Sequence, residues 1–113
     1  MARIVGWQEL GGSGPGKFLF QGGDHDASMS IFAVDFKPGH GPRLHQHAYE
    51  EVFVVLKGLA RFTVDGAEHD VEGGNVVVVP ANTPHKFHNA GEGRLRVTSV
   101  QPRPRVVAEW LED

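Results

Sequence analysis

Short apolar runs alternate with segments containing glycine and proline along the chain, at intervals of about ten residues. This rhythm is typical of an all-β sandwich or barrel, and patterns with a helical period are nearly absent. We therefore predict an all-β fold whose strands are Lys17 to Gln21, Met29 to Lys37, Arg43 to His47, Glu51 to Lys57, Leu59 to Asp65, Ala67 to Val71, Asn75 to Val79, His85 to Asn89 and Arg94 to Gln101.

One connection between strands can be assigned a turn type. Asp65 and Gly66 separate the strand-like segments FTV and AEHDV. The two-residue turns that match the twist of a hairpin need positive φ at both central residues, and an Asp-Gly pair adopts it at low cost. The sequence therefore predicts an antiparallel hairpin here.

The length and composition of the chain fit one small domain. The chain has 113 residues and no cysteine. It is therefore long enough to bury a single core, and no disulfide supports that core. We expect one domain spanning residues 1–113, and the absence of cysteine suits a reducing compartment.

Charge and hydropathy argue against several kinds of partner. The formal net charge is -3, and the sparse PRPR near the C-terminus is the nearest approach to a basic cluster, whereas nucleic-acid-binding surfaces need clustered lysine and arginine. The first residues lack the apolar run of a signal peptide, and no segment approaches the roughly 18 apolar residues of a membrane helix. We expect a cytoplasmic protein that binds neither nucleic acid nor a membrane.

Three histidines and one glutamate form the main chemical signal. His45, His47 and Glu51 lie in HQHAYEE, and His85 lies in PANTPH. Imidazole and carboxylate groups are preferred ligands of divalent transition metals. Residues two apart on a strand share a face, so the rings of His45 and His47 can reach one ion. A turn must bring Glu51 back to them, and only a curved or closed sheet brings His85 alongside.

The two segments that contain these residues resemble the two signatures of the cupin superfamily. The first, GHGPRLHQHAYEEVFVVLKG at residues 39–58, has its glycines, histidines and glutamate at the family's fixed spacing. The second, GNVVVVPANTPHKFHN at residues 74–89, also keeps the spacing, with Asn82 where the family usually has glycine. This departure is mild, because asparagine tolerates the left-handed conformation better than other residues with a side chain.

The resemblance implies both a fold and a ligand set. The implied fold is all-β, the cupin-type double-stranded β-helix or jelly-roll barrel. The implied metal ligands are His45, His47, Glu51 and His85, which hold one divalent transition metal ion: Fe, Mn, Ni, Zn, Co or Cu. The ligand set does not choose among these metals, because divalent affinities follow a general series.

The other histidines are weaker candidates as ligands. His25, His40 and His69 lie in polar or turn-forming segments and are interpreted as solvated surface residues. His88 has the opposite strand parity to His85, so on a regular strand it points away from the ion.

Three residues near the predicted ligands are candidates for a catalytic role. Arg43 shares the parity of His45 and is able to hold a carboxylate at the cavity mouth. Tyr49, in the bend, is able to donate a hydrogen bond or a proton, and Glu50 is a candidate general base. Each also has a simpler interpretation as a solvated side chain.

Three classes of function fit a barrel with the predicted metal site. The first is a metal-dependent oxygenase acting on a small organic molecule, which the resemblance supports because single-domain cupins include dioxygenases. The second is a non-redox isomerase, cyclase or decarboxylase that uses the ion as a Lewis acid, with Glu50, Tyr49 or His88 as the nearby general base. The third is a non-catalytic module that binds a small-molecule ligand in the barrel.

The C-terminal segment PRPRVVAEWLED allows two arrangements. Its apolar residues, Val106, Val107, Trp110 and Leu111, follow a stiff proline pair. The segment either caps its own barrel or pairs with a second subunit. Because cupins commonly form dimers through sheet edges and termini, the resemblance implies a homodimer.

Overall fold

The structure is a computed structural model that describes residues 2–112, and nearly all of its regular structure is β-strand. One turn of 3-10 helix follows the first strand, at Gly22–Asp24. Within residues 2–112, no helix has both the length and the apolar composition that crossing a bilayer requires. The ten strands are β1 (Phe18–Gln21), β2 (Ser30–Phe36), β3 (His45–Gln46), β4 (Glu51–Lys57), β5 (Leu59–Val64), β6 (Ala67–Glu72), β7 (Val76–Val79), β8 (His85–Asn89), β9 (Leu95–Gln101) and β10 (Glu109–Trp110).

The strands form two five-stranded antiparallel sheets. The order in the first sheet is β1-β2-β9-β4-β7, and the order in the second is β10-β3-β8-β5-β6. From β2 to β9 the chain crosses between the sheets at every connection except the β5–β6 hairpin. This alternation is the topology of a jelly-roll barrel, and it confirms the all-β fold class expected from the sequence.

The inward-facing residues divide the barrel into an apolar end and a polar end. On β9, Leu95 and Val97 are buried in the core, and the same face continues through Ser99 to Gln101. On the neighbouring β4 the order is reversed, because the strands are antiparallel: Glu51 lies at the polar end and Val55 in the core. The alternating pattern of these strands therefore builds a packed core and places a group of polar side chains beyond it.

Aromatic rings form the middle of the core, between its two ends. Phe53, Phe62 and Phe87 are all buried. The rings of Phe62 and Phe87 stack with their centroids 4.8 Å apart, and Phe53 meets both edge-on. Burying each ring contributes roughly 2–3 kcal/mol to the free energy of folding. The three rings form a packed layer next to the polar end of the barrel.

Two turns have the backbone conformation that the sequence predicts. Asp65 and Gly66 have φ of 49° and 82°, and Val64 pairs with Ala67 across the turn. This confirms the hairpin. Asn82 has φ of 57°, so asparagine occupies the left-handed conformation at the position where the family usually has glycine.

The second sheet differs from the prediction at one edge. β3 is only two residues long, whereas the sequence suggests a strand from Arg43 to His47. The C-terminal segment forms a further strand, β10, that pairs with β3 of the same chain and places Trp110 opposite His45. The C-terminal segment therefore caps its own barrel, which is one of the two arrangements considered for it.

Candidate metal centre

Four buried side chains converge at the polar end of the barrel. They are His45, His47, Glu51 and His85, of which His45 is the most exposed at 7%. One ligand atom from each lies within 4.8 Å of all the others. The structure thus brings together the residues that the sequence proposes as ligands, and the cluster could bind a divalent metal ion.

Strand pairing and one loop position the four side chains. His45 on β3 and His85 on β8 are direct cross-strand partners, with ring centroids 4.4 Å apart. Glu51 is the first residue of β4, directly after a short loop that begins at His47 and bends at Ala48 and Tyr49. The backbone N–H of Asn82 donates to the carbonyl of His47 at 2.7 Å. The loop before His85 therefore holds the bend that brings Glu51 back to the histidines.

A backbone carbonyl orients each imidazole. Nδ1 of His45 lies 2.7 Å from the carbonyl oxygen of Arg43, and Nδ1 of His85 lies 2.8 Å from that of Thr83. Nδ1 of His47 lies 2.7 Å from the carbonyl oxygen of Val107. A carbonyl can only accept, so each Nδ1 carries the proton, and in the neutral ring Nε2 is left with a lone pair. Metal-binding histidines are held in this way.

The donor atoms fit a cation between them. Oε1 of Glu51 lies 3.2 Å from Nε2 of His47 and 3.1 Å from Nε2 of His85. With their protons on Nδ1, both nitrogens are acceptors that face a third acceptor. Nε2 of His47 has no hydrogen-bond partner among residues 2–112, although it is buried. A divalent ion would satisfy these lone pairs together, whereas leaving them unpaired is costly.

Electrostatics keeps the carboxylate ionised. Burial raises the pKa of Glu51, but its interactions with the imidazoles of His47 and His85, and with Ser99, outweigh burial and lower it to about 2. Burial lowers the pKa of His45, which favours its neutral form. Burial also opposes protonation of His47, yet the carboxylate of Glu51 and the carbonyl of Val107 raise its pKa overall. An ion must therefore compete with a proton at His47.

A hydrogen-bonded chain holds the other carboxylate oxygen. Nε2 of Gln101 donates to Oε2 of Glu51 at 3.1 Å. The hydroxyl of Tyr49 donates to Oε1 of Gln101 and accepts from the N–H of Val107 at 3.1 Å. The ring of Tyr49 stacks on His47 with centroids 4.9 Å apart. Tyr49 therefore acts on the cluster through Gln101 and does not lie within it.

The other residues that the sequence suggests do not join the cluster. Arg43 is exposed, and its guanidinium lies 4.9 Å from the ring centroid of Trp110, outside the cavity lining. Glu50 is also exposed. The remaining histidines, which the sequence assigns to the surface or away from the ion, lie outside the cluster: His25, His40, His69 and His88.

Sequence reasoning missed three residues that support Glu51 and His47. Ser99 and Gln101 are polar residues at inward-facing positions of β9, and the alternation that places Leu95 and Val97 in the core could have revealed them. Val107 acts through its backbone. The residue type gives no indication of this role, and the contact with His47 depends on the path of the C-terminal segment.

A cavity of about 150 Å³ lies beside the cluster. Its polar lining side chains are three of the four clustered residues, together with Ser99 and Gln101. Such a pocket, mostly apolar with a few convergent polar groups, is typical of small-molecule sites. The rest of the lining is apolar: Phe32, Val34, Phe36, Pro42, Phe53, Phe87, Val97, Val106, Ala108 and Trp110.

Comparison with known proteins identifies relatives. A family model described as a cupin domain matches residues 32–101. The uncharacterized protein SCO3923 of Streptomyces coelicolor is 37% identical over 81 residues, which cover 72% of this chain and 74% of that protein. Auxin-binding protein 1 of Arabidopsis thaliana is 30% identical over 94 residues, which cover 75% of this chain and 48% of that protein.

A solved structure shares the fold. Oxalate decarboxylase of Bacillus subtilis, a protein with Mn(II) centres, superposes with a TM-score of 0.75 at 22% sequence identity. The match covers 83% of this chain and 27% of the decarboxylase. This chain therefore spans about a quarter of that enzyme, and about half of the plant protein.

Proposed function

The chain belongs to the cupin family, and from its buried cluster we propose that it is a metal-dependent oxygenase acting on a small organic molecule. The observation that carries this proposal is the position of His45, His47 and Glu51 in the wall of an apolar cavity. Four protein ligands leave two positions free on a six-coordinate ion, and a substrate in the cavity would reach them.

The cavity favours oxygenation over chemistry that needs a proton donor or acceptor. Apart from the proposed ligands, the polar lining side chains within residues 2–112 are Ser99 and Gln101, which do not titrate near neutral pH. An isomerase, cyclase or decarboxylase requires a group that gives or takes a proton. Tyr49, Glu50 and His88, which the sequence offers for that role, lie outside the lining.

The residues of this chain would hold the ion, orient it and exclude water. Backbone carbonyls orient the three imidazoles, while Gln101 donates to the carboxylate of Glu51. Phe53 and Trp110 line the cavity, and their rings pack against His85 and His45 with centroids 5.8 Å and 5.1 Å apart, which limits the access of water to the cluster. A redox-active ion such as iron would supply the electrons that activate dioxygen.

The first test is the metal content of protein purified without a histidine tag, measured by plasma mass spectrometry. We expect a near-stoichiometric divalent metal in the wild type and its loss in His45→Ala and Glu51→Ala. His69→Ala is the matched control, because His69 is exposed and lies outside the cluster. A wild type that holds no metal even after reconstitution would overturn the proposal.

The second test compares iron-loaded and zinc-loaded protein in an oxygen electrode, with a panel of catechols, diketones and thiols. Dioxygen uptake coupled to substrate loss in the iron form alone would support the oxygenase. Turnover that is equal with zinc, or that continues without dioxygen, would instead establish a non-redox isomerase, cyclase or decarboxylase. Tight binding without turnover in either form would establish a binding module.

We also propose that the protein is a homodimer. β7 is an edge strand of the first sheet, and its outward-facing Val76 and Val78 are 59% and 58% exposed. A second copy packed against this edge would bury them. Light scattering should give twice the 12.3 kDa mass of the chain, and Val78→Lys should shift the protein to monomer. A wild-type monomer at micromolar concentration would overturn this proposal.

A further inference from the structure

We propose that the ligand of this cavity is a monoanionic, largely apolar molecule that binds the metal through two adjacent oxygen atoms. This inference deepens the proposed function and rests on it, because it requires a metal ion at the cluster. Three features of the cavity carry it: the balance of charge, the commitment of its polar side chains, and the apolar lining.

The balance of charge selects a monoanion. A divalent ion bound by three neutral imidazoles and the Glu51 carboxylate leaves one net positive charge. No lysine or arginine among residues 2–112 lines the cavity. Arg43, whose guanidinium packs on Trp110, is exposed and outside the lining. A single negative charge on the ligand neutralises the site, whereas a second would be buried without a partner.

The polar side chains of the lining are already engaged. Gln101 donates to Glu51 and accepts from Tyr49. Ser99 lies beside the carboxylate of Glu51 and helps to lower its pKa. Neither side chain carries a charge that could pair with a second anionic group of a ligand, and a buried charge without a partner is costly. The anionic group of the ligand must therefore lie at the metal.

The remaining surface suits a hydrocarbon body. Phe32, Val34 and Phe36 on β2 line one side of the cavity, and Val106 and Trp110 of the C-terminal segment line another. A volume of about 150 Å³ accommodates a small ring or a branched chain. The ligand therefore has two chelating oxygen atoms at one end and a hydrocarbon body at the other.

The test uses two chelating anions and zinc-loaded protein, which binds without redox turnover. Tropolonate is a monoanion with two adjacent oxygens on a hydrocarbon ring, and oxalate is a dianion with the same type of chelate. Calorimetry gives the affinity of each anion for the protein, and each value is divided by the affinity of the same anion for free zinc in the same buffer. We expect this normalised affinity to be about tenfold or more higher for tropolonate than for oxalate.

A charge introduced at the cavity edge should reverse the preference. Phe32 lines the cavity and is 39% exposed, so an arginine there can reach the ligand without being buried. We expect Phe32→Arg to strengthen oxalate binding by about tenfold relative to tropolonate. Phe32→Met, which removes the ring but adds no charge, should change the ratio by less than about threefold.

The outcomes separate this inference from the proposed function. Protein that retains no zinc by mass spectrometry overturns both. Protein that retains zinc but shows no shift towards tropolonate, binds neither anion or loses its zinc to tropolone overturns the inference alone. A ratio that does not change in Phe32→Arg also contradicts it, because the charge balance of the cavity would then not govern binding.

Discussion

The three imidazoles of the cluster are not held in equivalent ways. His45 and His85 each donate from Nδ1 to the carbonyl two residues earlier, so the local chain sets their orientation. His47 instead donates to Val107, sixty positions later in the chain. Since ring orientation determines where Nε2 points, His47 is the ligand whose geometry depends most on the rest of the fold.

At the residue scale, Gln101 should matter to metal binding although it touches no metal. Gln101→Ala removes the donor to Oε2 of Glu51 and leaves the hydroxyl of Tyr49 without its acceptor. We expect metal affinity to fall by about 10–100-fold, as measured by competition with a chromophoric chelator. Gln8→Ala, at an exposed glutamine, is the control. Equal affinities in the two variants would show that Gln101 does not position Glu51.

At the scale of elements, short runs bounded by turn residues made most strands predictable, and pairing decided the rest. β4 begins and ends where the sequence predicts because it is an apolar, mainly β-branched run that Gly58 ends, and β8 because it lies between two turn segments. β10 is only two residues long, and its sequence has no period. It exists because β3 offers an open edge and Trp110 can cover His45, which are properties of the assembled sheet.

The same distinction applies to the candidate site. The ligand residues were predictable because histidine and glutamate are common metal ligands and occur here at a recognisable spacing. The orienting carbonyl of Val107 was not, because a backbone group carries no residue-specific signal. Gln101 lies between these cases, since its polarity at an inward-facing position of β9 is visible once the register is known.

The C-terminal segment should support the site more than it supports the fold. Deleting residues 106–113 removes the carbonyl partner of His47 and the ring of Trp110 beside His45. We expect metal affinity to fall by about 10–100-fold, while circular dichroism retains the signal of β-structure, because β10 contributes only a two-residue pairing. The measurement is the same chelator competition.

A shorter deletion controls for the loss of chain length. Removing residues 112 and 113 keeps Val107 and Trp110 but removes the acceptor of the Leu44 N–H, so metal affinity should fall much less than in the longer deletion. If the longer deletion binds metal as tightly as the shorter one, the C-terminal segment does not orient His47.

At the scale of the whole molecule, the apolar end of the barrel should determine stability independently of the metal. Leu95 is fully buried and does not line the cavity. We expect Leu95→Ala to lower the free energy of unfolding by about 2–5 kcal/mol in urea denaturation. The folded fraction should still bind metal stoichiometrically. Leu56→Ala, at a side chain that is 58% exposed, should change the free energy by less than about 0.5 kcal/mol.

Metal removal should couple the polar end of the barrel to the stability of the whole. The cluster exists only in the folded chain, where residues from β3, β4, β8 and the intervening bend meet, so an ion that binds it stabilises the folded state. At a free metal concentration 100 times Kd, the gain is about 2.7 kcal/mol, which raises Tm of a domain of this size by roughly 10–20 °C. Calorimetry with and without a chelator measures the difference. In Glu51→Ala, Tm should not respond to the chelator. A variant that responds as fully as the wild type would place the stabilising ion somewhere other than this cluster.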